Sequence, residues 1–444
     1  MSRAAVLSDS QAGQALVLGM IMAGLLAAAM LRYFVVGQVA SAKSRQLHAL
    51  DAAAYSGAQV QARALNMLAY INRAHTAHQV AMAHLVTLGS WALLGDTQAR
   101  QVAVGNPPHY LIGMLFGPSH GAAYAAARRA TGFNRLAATQ GELAAAYASH
   151  DKTVREVLVA VQHEIVRGLP DVRDHVIRNI LARNYSELPA DFKFDLSVDV
   201  DAWPGYVQLQ SGQGALRQLV RHAAGLYGFL GRRNHTGFNT WAVHPVCAAL
   251  RHQLRRRGST YLDRQGIWQS VDTQSFHALR FNRWIGCYYR EYPMGWGWVP
   301  ARSSRPLAEP HVANAPENFS HRDFWRWVSE YTSWDIITGT GNPLATSRAT
   351  AARQRWQGGG LPAHFDTTPM AVRRPLSFAL TLRLPGPEGY VITTRAAAES
   401  FFARPHTRPD GAQEHANLFH PYWQARLTAY PGAPGNARLG DFNE

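Results

Sequence analysis

From Ala15 to Leu31 the chain reads ALVLGMIMAGLLAAAML, without one charged side chain. Arg32 follows, and then YFVVG. A helix needs about 20 apolar residues to span a bilayer. The run reaches that length when Arg32 lays its stem along apolar surface and holds its head at the interface, with Tyr33 and Phe34 in the headgroup zone. A cleaved signal peptide fits the same run less well: the basic start is Arg3 alone, and no strong small-x-small cleavage site precedes a break. The pattern predicts a polar tail over 1–13 and an uncleaved membrane anchor over 14–39.

Helical patterning does not stop there. Val39 to Leu94 contains no proline, and alanine, the best helix former, recurs throughout. Gly37, Gly57 and Gly89 are tolerable costs inside such a run. One helix is predicted over 14–94. Ala49, Ala53 and Gly57 recur every fourth residue on one face, with Ala52, Ser56 and Val60 beside them. A face of small residues lets another helix come close, as in small-xxx-small packing. The plainer reading is a merely alanine-rich helix.

Gly95, Asp96 and the Asn106-Pro107-Pro108 cluster mark a predicted break. The apolar YLIGMLF leads to Gly117. Helical pattern resumes over 119–167, with an interruption near Gly132 or Gly141, closes at Gly168 and Pro170, and restarts over 171–183. Residues 40–190 read as antiparallel helices packed on the distal part of the first. Beyond Pro189, FKFDLSVDV alternates, with Phe192, Phe194, Leu196, Val198 and Val200 on one face, which predicts a half-buried strand. Leu216 to Leu230 reads as a short helix. The segments TWAVHPV, STYLD, GIWQSVD, SFHALRF, WIGCYYREY and GWGWV predict an antiparallel meander. A helix over 318–338, a Gly/Pro/Thr-rich loop over 339–375, the strands SFALTLRL and GYVITT, and an irregular tail from Arg404 complete an α+β domain over 191–444.

Composition narrows the function classes. Of 444 residues 47% are hydrophobic and 16% charged, which supports a sizeable core and excludes a disordered chain. The formal net charge of +15 is nearly all arginine: Lys43, Lys152 and Lys193 are the only lysines. Scattered arginine without a recognised module favours general attraction to anionic surfaces, and no nucleic-acid partner is predicted. The two cysteines, Cys247 and Cys287, pair across neighbouring strands if the body lies outside the cytoplasm and are small buried hydrophobes if it does not. Arg3 before the apolar run, against Arg32, Lys43 and Arg45 after it, leans towards a cytoplasmic body, although large domains translocate largely regardless of such charges.

Candidate chemistry is sparse. Gly117-Pro118-Ser119-His120-Gly121 fits G-x-S-x-G, and Asp366 and His420 supply an acid and a base in the matching chain order. Against a serine hydrolase stand the lack of alternating strand–helix units and a simpler role for Ser119 as a helix N-cap. His75 and His78 share a helix face near His84, but no carboxylate sits at ligand spacing. Gly339-Thr340-Gly341-Asn342-Pro343 and Gly358-Gly359-Gly360 lack the Gly-Lys-Ser/Thr of a phosphate loop. Phe324, Trp327, Val328 and Tyr331 form one helical face, and Trp296 and Trp298 one strand face, both suited to a core. Glu414 to Leu427, with Asn417, Trp423 and Arg426, reads as a segment docking back on the body. No catalytic residue, cofactor, metal or small-molecule substrate is predicted.

The first 60 residues resemble the TadE/TadG-like family of Tad (Flp) pilus-assembly proteins. QAGQALV is similar to that family's RGQALVE-type start, an apolar segment follows at once, and a spacer with Lys43 and Arg45 leads into LDAAAYSGA, which looks like the family's DAAALAGA. Cleaved pseudopilins carry a glutamate a few residues after the processing glycine; counted from Gly13, the fifth residue is Leu18, so the chain looks more like the uncleaved TadG type. The resemblance implies a single-pass protein of the bacterial inner membrane with a periplasmic body. Its partners would be the lipid bilayer and other pilus-assembly or pilin-like subunits. It would act by helix packing and contact rather than as an enzyme. A membrane-tethered serine hydrolase using Ser119 and an adaptor unrelated to pili are the alternatives.

Overall fold

The first helix is longer than the pattern predicts. In the computed structural model, which describes residues 12–301 and 376–431 except 128, 130, 131, 139, 190, 211, 212, 263–265 and 267, α1 spans Ala12–Val104, 93 residues. At 1.5 Å per residue that is about 140 Å. The break predicted at Gly95 and Asp96 does not occur. Asp96 pairs with Arg100 one turn on, and the missing Cβ of Gly95 makes room for the Phe133 ring, 2.8 Å from where that carbon would lie. The helix ends at Gly105, whose N–H donates to Gln101 O and Val102 O.

Short helices follow: α2 (His109–Phe116), α3 (Pro118–Ala127), α4 (Phe133–Leu136) and α5 (Glu142–Lys152). A π-helical turn, Thr153–Leu158, leads into α6 (Val159–Asn184). The closure predicted at Gly168 and Pro170 is also absent, since α6 runs through both. Pro170 has no N–H for the carbonyl of Val166, one turn back. The indole Nε1 of Trp203 donates to that carbonyl at 3.1 Å instead. A side chain 37 residues away thus replaces the lost backbone bond.

The chain divides into two compact units. One takes residues up to 69, then 164–211 and the part from 368 onwards; the other takes 70–163 and 212–367. These units cut across the linear division into 40–190 and 191–444, because each combines part of the helical stretch with one sheet.

In the first unit, β1 (Asp195–Asp201), β6 (Leu376–Pro385), β7 (Val391–Phe402) and β8 (Trp423–Thr428) form an antiparallel sheet in the order β1-β6-β7-β8. Its inner face packs on α1 and α6, with Phe378, Leu380, Leu382 and Ala398 against Ala53, Ala58, Ile177 and Leu181. The uniform face predicted for FKFDLSVDV holds only in part. Phe194 is buried, but Val198 and Val200 are exposed: β1 is an edge strand, and its register slips between those two residues. The helix α7 (Trp203–Gln210) follows β1, and β8 extends the C-terminal docking segment, with Trp423 buried against Leu65 and Leu68.

In the second unit, which also holds α8 (Gln213–Gly225), β2 (His235–Phe238), β3 (Gln253–Leu262), β4 (Trp268–Asn282) and β5 (Gly286–Ala301) form an antiparallel meander. Fewer and longer strands replace the predicted segments. GIWQSVD and SFHALRF merge into β4, and WIGCYYREY and GWGWV into β5, across a register shift where Ser275 opposes Pro293. A proline is tolerated at such a bulge. TWAVHPV is not a strand; it is a loop ending in a 3-10 turn, Pro245–Cys247. The glycines of GWGWV admit α1: a Cβ on Gly297 would lie 2.1 Å from the carbonyl oxygen of Ser90. Beneath them, buried Asp272 accepts hydrogen bonds from Arg233 and Ser90. The predicted 318–338 helix, the 339–375 loop and residues 1–11 lie outside the described residues.

Candidate functional site

Every residue from 15 to 34 is exposed. Leu16, Met20, Leu25, Met30 and Leu31 are each more than 60% exposed, and Tyr33 reaches 83%. The most apolar 18-residue window has mean hydropathy 2.1, and none of it is buried. Among the described residues α1 is the one helix long and apolar enough to cross a membrane. Ala15 to Val36 covers about 33 Å of helix axis, against a hydrocarbon core of about 30 Å. A helix apolar all round, with none of the described residues over it, suits lipid. Arg32, Tyr33 and Phe34, the predicted interface residues, stand exposed at the far end of this stretch.

Three turns further on, α1 is locked into the sheet of its own unit. Ala49, Ala53, Ala54 and Ala58 are buried to within 2%. Gly57 faces Ile177 and Phe378, each 3.0 Å from where its Cβ would stand. Of the predicted packing residues, Ala49, Ala53 and Gly57 therefore face this chain's own sheet and α6. Ala52 is exposed, Ser56 donates to Ala52 O, and Val60 is partly buried beside Leu65. Amide side chains clamp the seam. Gln46 Nε2 donates to Leu382 O and Ile392 O, Gln61 Nε2 to Leu376 O, and Asn66 both donates to Trp423 O and accepts from Trp423 N. Arg173 is buried against Phe378 and bridges Gln61 to Asp201. None of these amides carries a local sequence signal, since their partners lie more than 300 residues away.

Ser119 is exposed in the first turn of α3, and the element before Gly117 is the helix α2, not the strand a nucleophile elbow requires. His420 is buried in the other unit, stacked on Tyr422 and 3.9 Å from Glu414; Asp366 lies outside the described residues. His78 Nδ1 meets His150 Nδ1 at 2.8 Å, and the His84 ring packs on Phe229. His75 is buried, and burial, helped by the charge of His78, pushes its pKa down to about 4. Among the described residues no group of three or more His, Cys, Asp or Glu side chains is placed to hold a metal. Gly339 to Pro343, Gly358 to Gly360, Phe324, Trp327, Val328 and Tyr331 lie outside the described residues. Trp296 is buried and Trp298 half-buried.

Cys247 and Cys287 form a disulfide. It ties the 3-10 turn to the start of β5, not strand to strand. The stapled surface is apolar and cationic. Trp284 and Ile285, at the β4–β5 turn, are 81% and 69% exposed, and Val246 is 67% exposed. Phe281 stacks on His244. Residues 238–251 and 280–290 contain Arg251, Arg280, Arg283 and Arg290 and no acidic residue. Set against known proteins, the chain matches no family model, no curated protein and no solved structure.

Proposed function

We propose that this chain is a membrane-anchored structural or assembly protein of a Tad/Flp-type pilus or related secretion system, TadG-like, with its body on the periplasmic side of the bacterial inner membrane. The observation that carries the reading is the unbroken continuity of α1. A stretch suited only to lipid passes without a hinge into a seam of small residues and amide clamps. Movement of the anchor is thereby transmitted to the sheet, as a scaffold subunit requires. The QAGQALV start and the LDAAAYSGA spacer support the family, and the disulfide supports an oxidising compartment. The Trp284–Ile285 turn, apolar and flanked by arginine, suits contact with another subunit.

Alkaline carbonate extraction of cells tests the anchor: the intact chain stays with the membrane pellet, and its release into the supernatant refutes the reading. Affinity capture from gently solubilised membranes tests the assembly role. Pilus-assembly components should co-purify with the chain and be lost from a Trp284→Ala, Ile285→Ala variant. Capture without any such component leaves only a membrane protein of another kind.

A further inference from the structure

Where α1 leaves its apolar stretch, it forms one wall of a cleft of about 460 Å³. Gln38, Ser41 and Arg45 line it from the helix, at spacings of three and four that keep them on one face. Tyr185, Glu187 and Leu188 line it from the segment after α6, and Ile392 from β7. All belong to the first unit. We propose that this cleft holds the head of a phospholipid carrying a primary ammonium, drawn from the bilayer in which α1 is anchored. The proposal rests on the membrane reading of α1.

Depth comes first. Gln38 lies two residues beyond Val36, the last large apolar exposed side chain of the anchor, and Arg45 nine residues beyond it. At 1.5 Å per residue these are about 3 Å and about 14 Å along the axis. The headgroup layer is roughly 5–8 Å thick on each side of the hydrocarbon. The Gln38 end of the cleft therefore opens inside the headgroups, and the Arg45–Glu187 pair stands at its water-facing end, where a lipid head must rise a few ångströms to meet it.

Charge comes second. The cleft presents a cation and an anion side by side: Arg45 Nη2 lies 2.5 Å from Glu187 Oε1, and the guanidinium stands 4.8 Å over the Tyr185 ring. Both charged side chains are about half exposed, at 53% and 50%. An ion pair this open to water adds little stability, so a ligand exchanges it at little cost. A phosphodiester takes the guanidinium in a planar fork, with the Ser41 hydroxyl, one turn back on the same face, as a further donor. A primary ammonium donates to the Glu187 carboxylate. Net charge is unchanged by the exchange. Leu188 and Ile392 offer an apolar wall to the glycerol and the first methylenes. A choline head has no N–H for Glu187, and a glycerol head has no cation, so both fit less well.

The test uses the full-length chain in mild detergent. It is incubated with phosphatidylethanolamine, phosphatidylcholine or phosphatidylglycerol of matched acyl chains, and native mass spectrometry counts the lipid retained. Phosphatidylethanolamine is expected at least fivefold above either of the others, and Glu187→Gln and Arg45→Ala each remove the difference. Ser41→Trp, at an exposed helical position, fills the cleft while keeping both charged residues and should do the same if the charge variants fold poorly. Equal retention of the three lipids, or a preference that survives all three variants, overturns the proposal. A chain that stays in the carbonate pellet yet shows no preference sinks the cleft alone. A chain released by carbonate sinks the anchor as well.

Discussion

Residues 15–36 and 46–68 are neighbouring stretches of one helix, both rich in alanine and leucine, yet they face opposite surroundings. The first is bare on every side from 15 to 34. The second is buried along one stripe, where residues at i, i+3 and i+4 are Ala, Gly, Leu or an amide. Secondary structure alone does not separate them. What differs is side-chain size around the helix. Large apolar groups all round suit a fluid solvent such as lipid, whereas small groups on one stripe let the backbone approach a fixed sheet.

The largest effect expected from breaking this contrast is on the bare stretch. Leu25→Arg together with Ala28→Arg puts two charges at its middle, at about 2.5–3.5 kcal/mol of insertion cost each. The protein should leave the carbonate pellet, while a Leu25→Phe control stays. Next is Phe378→Ala, beneath Gly57 and Arg173. Loss of a fully buried phenylalanine costs about 3–5 kcal/mol, read as a lower urea midpoint of the full chain by tryptophan fluorescence, with membrane fractionation unaltered.

His75, further along α1, extends the contrast to acid. Its folded pKa of about 4 lies below its unfolded value, so the unfolded chain binds a proton that the folded chain refuses. Stability present above pH 6.5 is lost as pH falls from there towards 4, by on the order of 3 kcal/mol. His75→Gln should flatten that part of the pH profile; an identical slope in the variant would contradict this assignment. The smallest effect comes from a matched pair. Gly57→Leu overfills the seam and costs about 1–3 kcal/mol. Gly24→Leu meets nothing within 4 Å and should leave the urea midpoint where it was.

Much of the fold is legible where a local pattern is also the global cause. Lipid-length apolar patterning marks α1, and alternation marks the strands of an α+β fold. Reading fails where a distant group overrides a local signal. Pro170 reads as a stop until the Trp203 indole takes up the Val166 carbonyl. Gly95 reads as a break until Phe133 occupies the space it leaves. Val200 reads as core until a register slip pairs it with Ala379, out of the alternation that sets Leu196 and Val198 opposite Leu382 and Leu380. The candidate site divides the same way. The exposed apolar stretch and its Arg32–Phe34 border are visible in a window of residues, whereas the amides of the seam and the Arg45–Glu187 cleft exist only once chain segments far apart are brought together.

The Gln46 clamp has a temporal consequence. Its acceptor carbonyl in β6 is 336 residues further along. At 5–20 residues per second the ribosome reaches that acceptor roughly 20–70 s after making the glutamine. For that interval the stripe of α1 lacks the sheet half of its partner, although Ile177 and Leu181 of α6 are made sooner. Between residues 49 and 58 that stripe is alanine and glycine except for Leu50, so the small side chains that later permit tight joining offer a stray partner little apolar surface meanwhile.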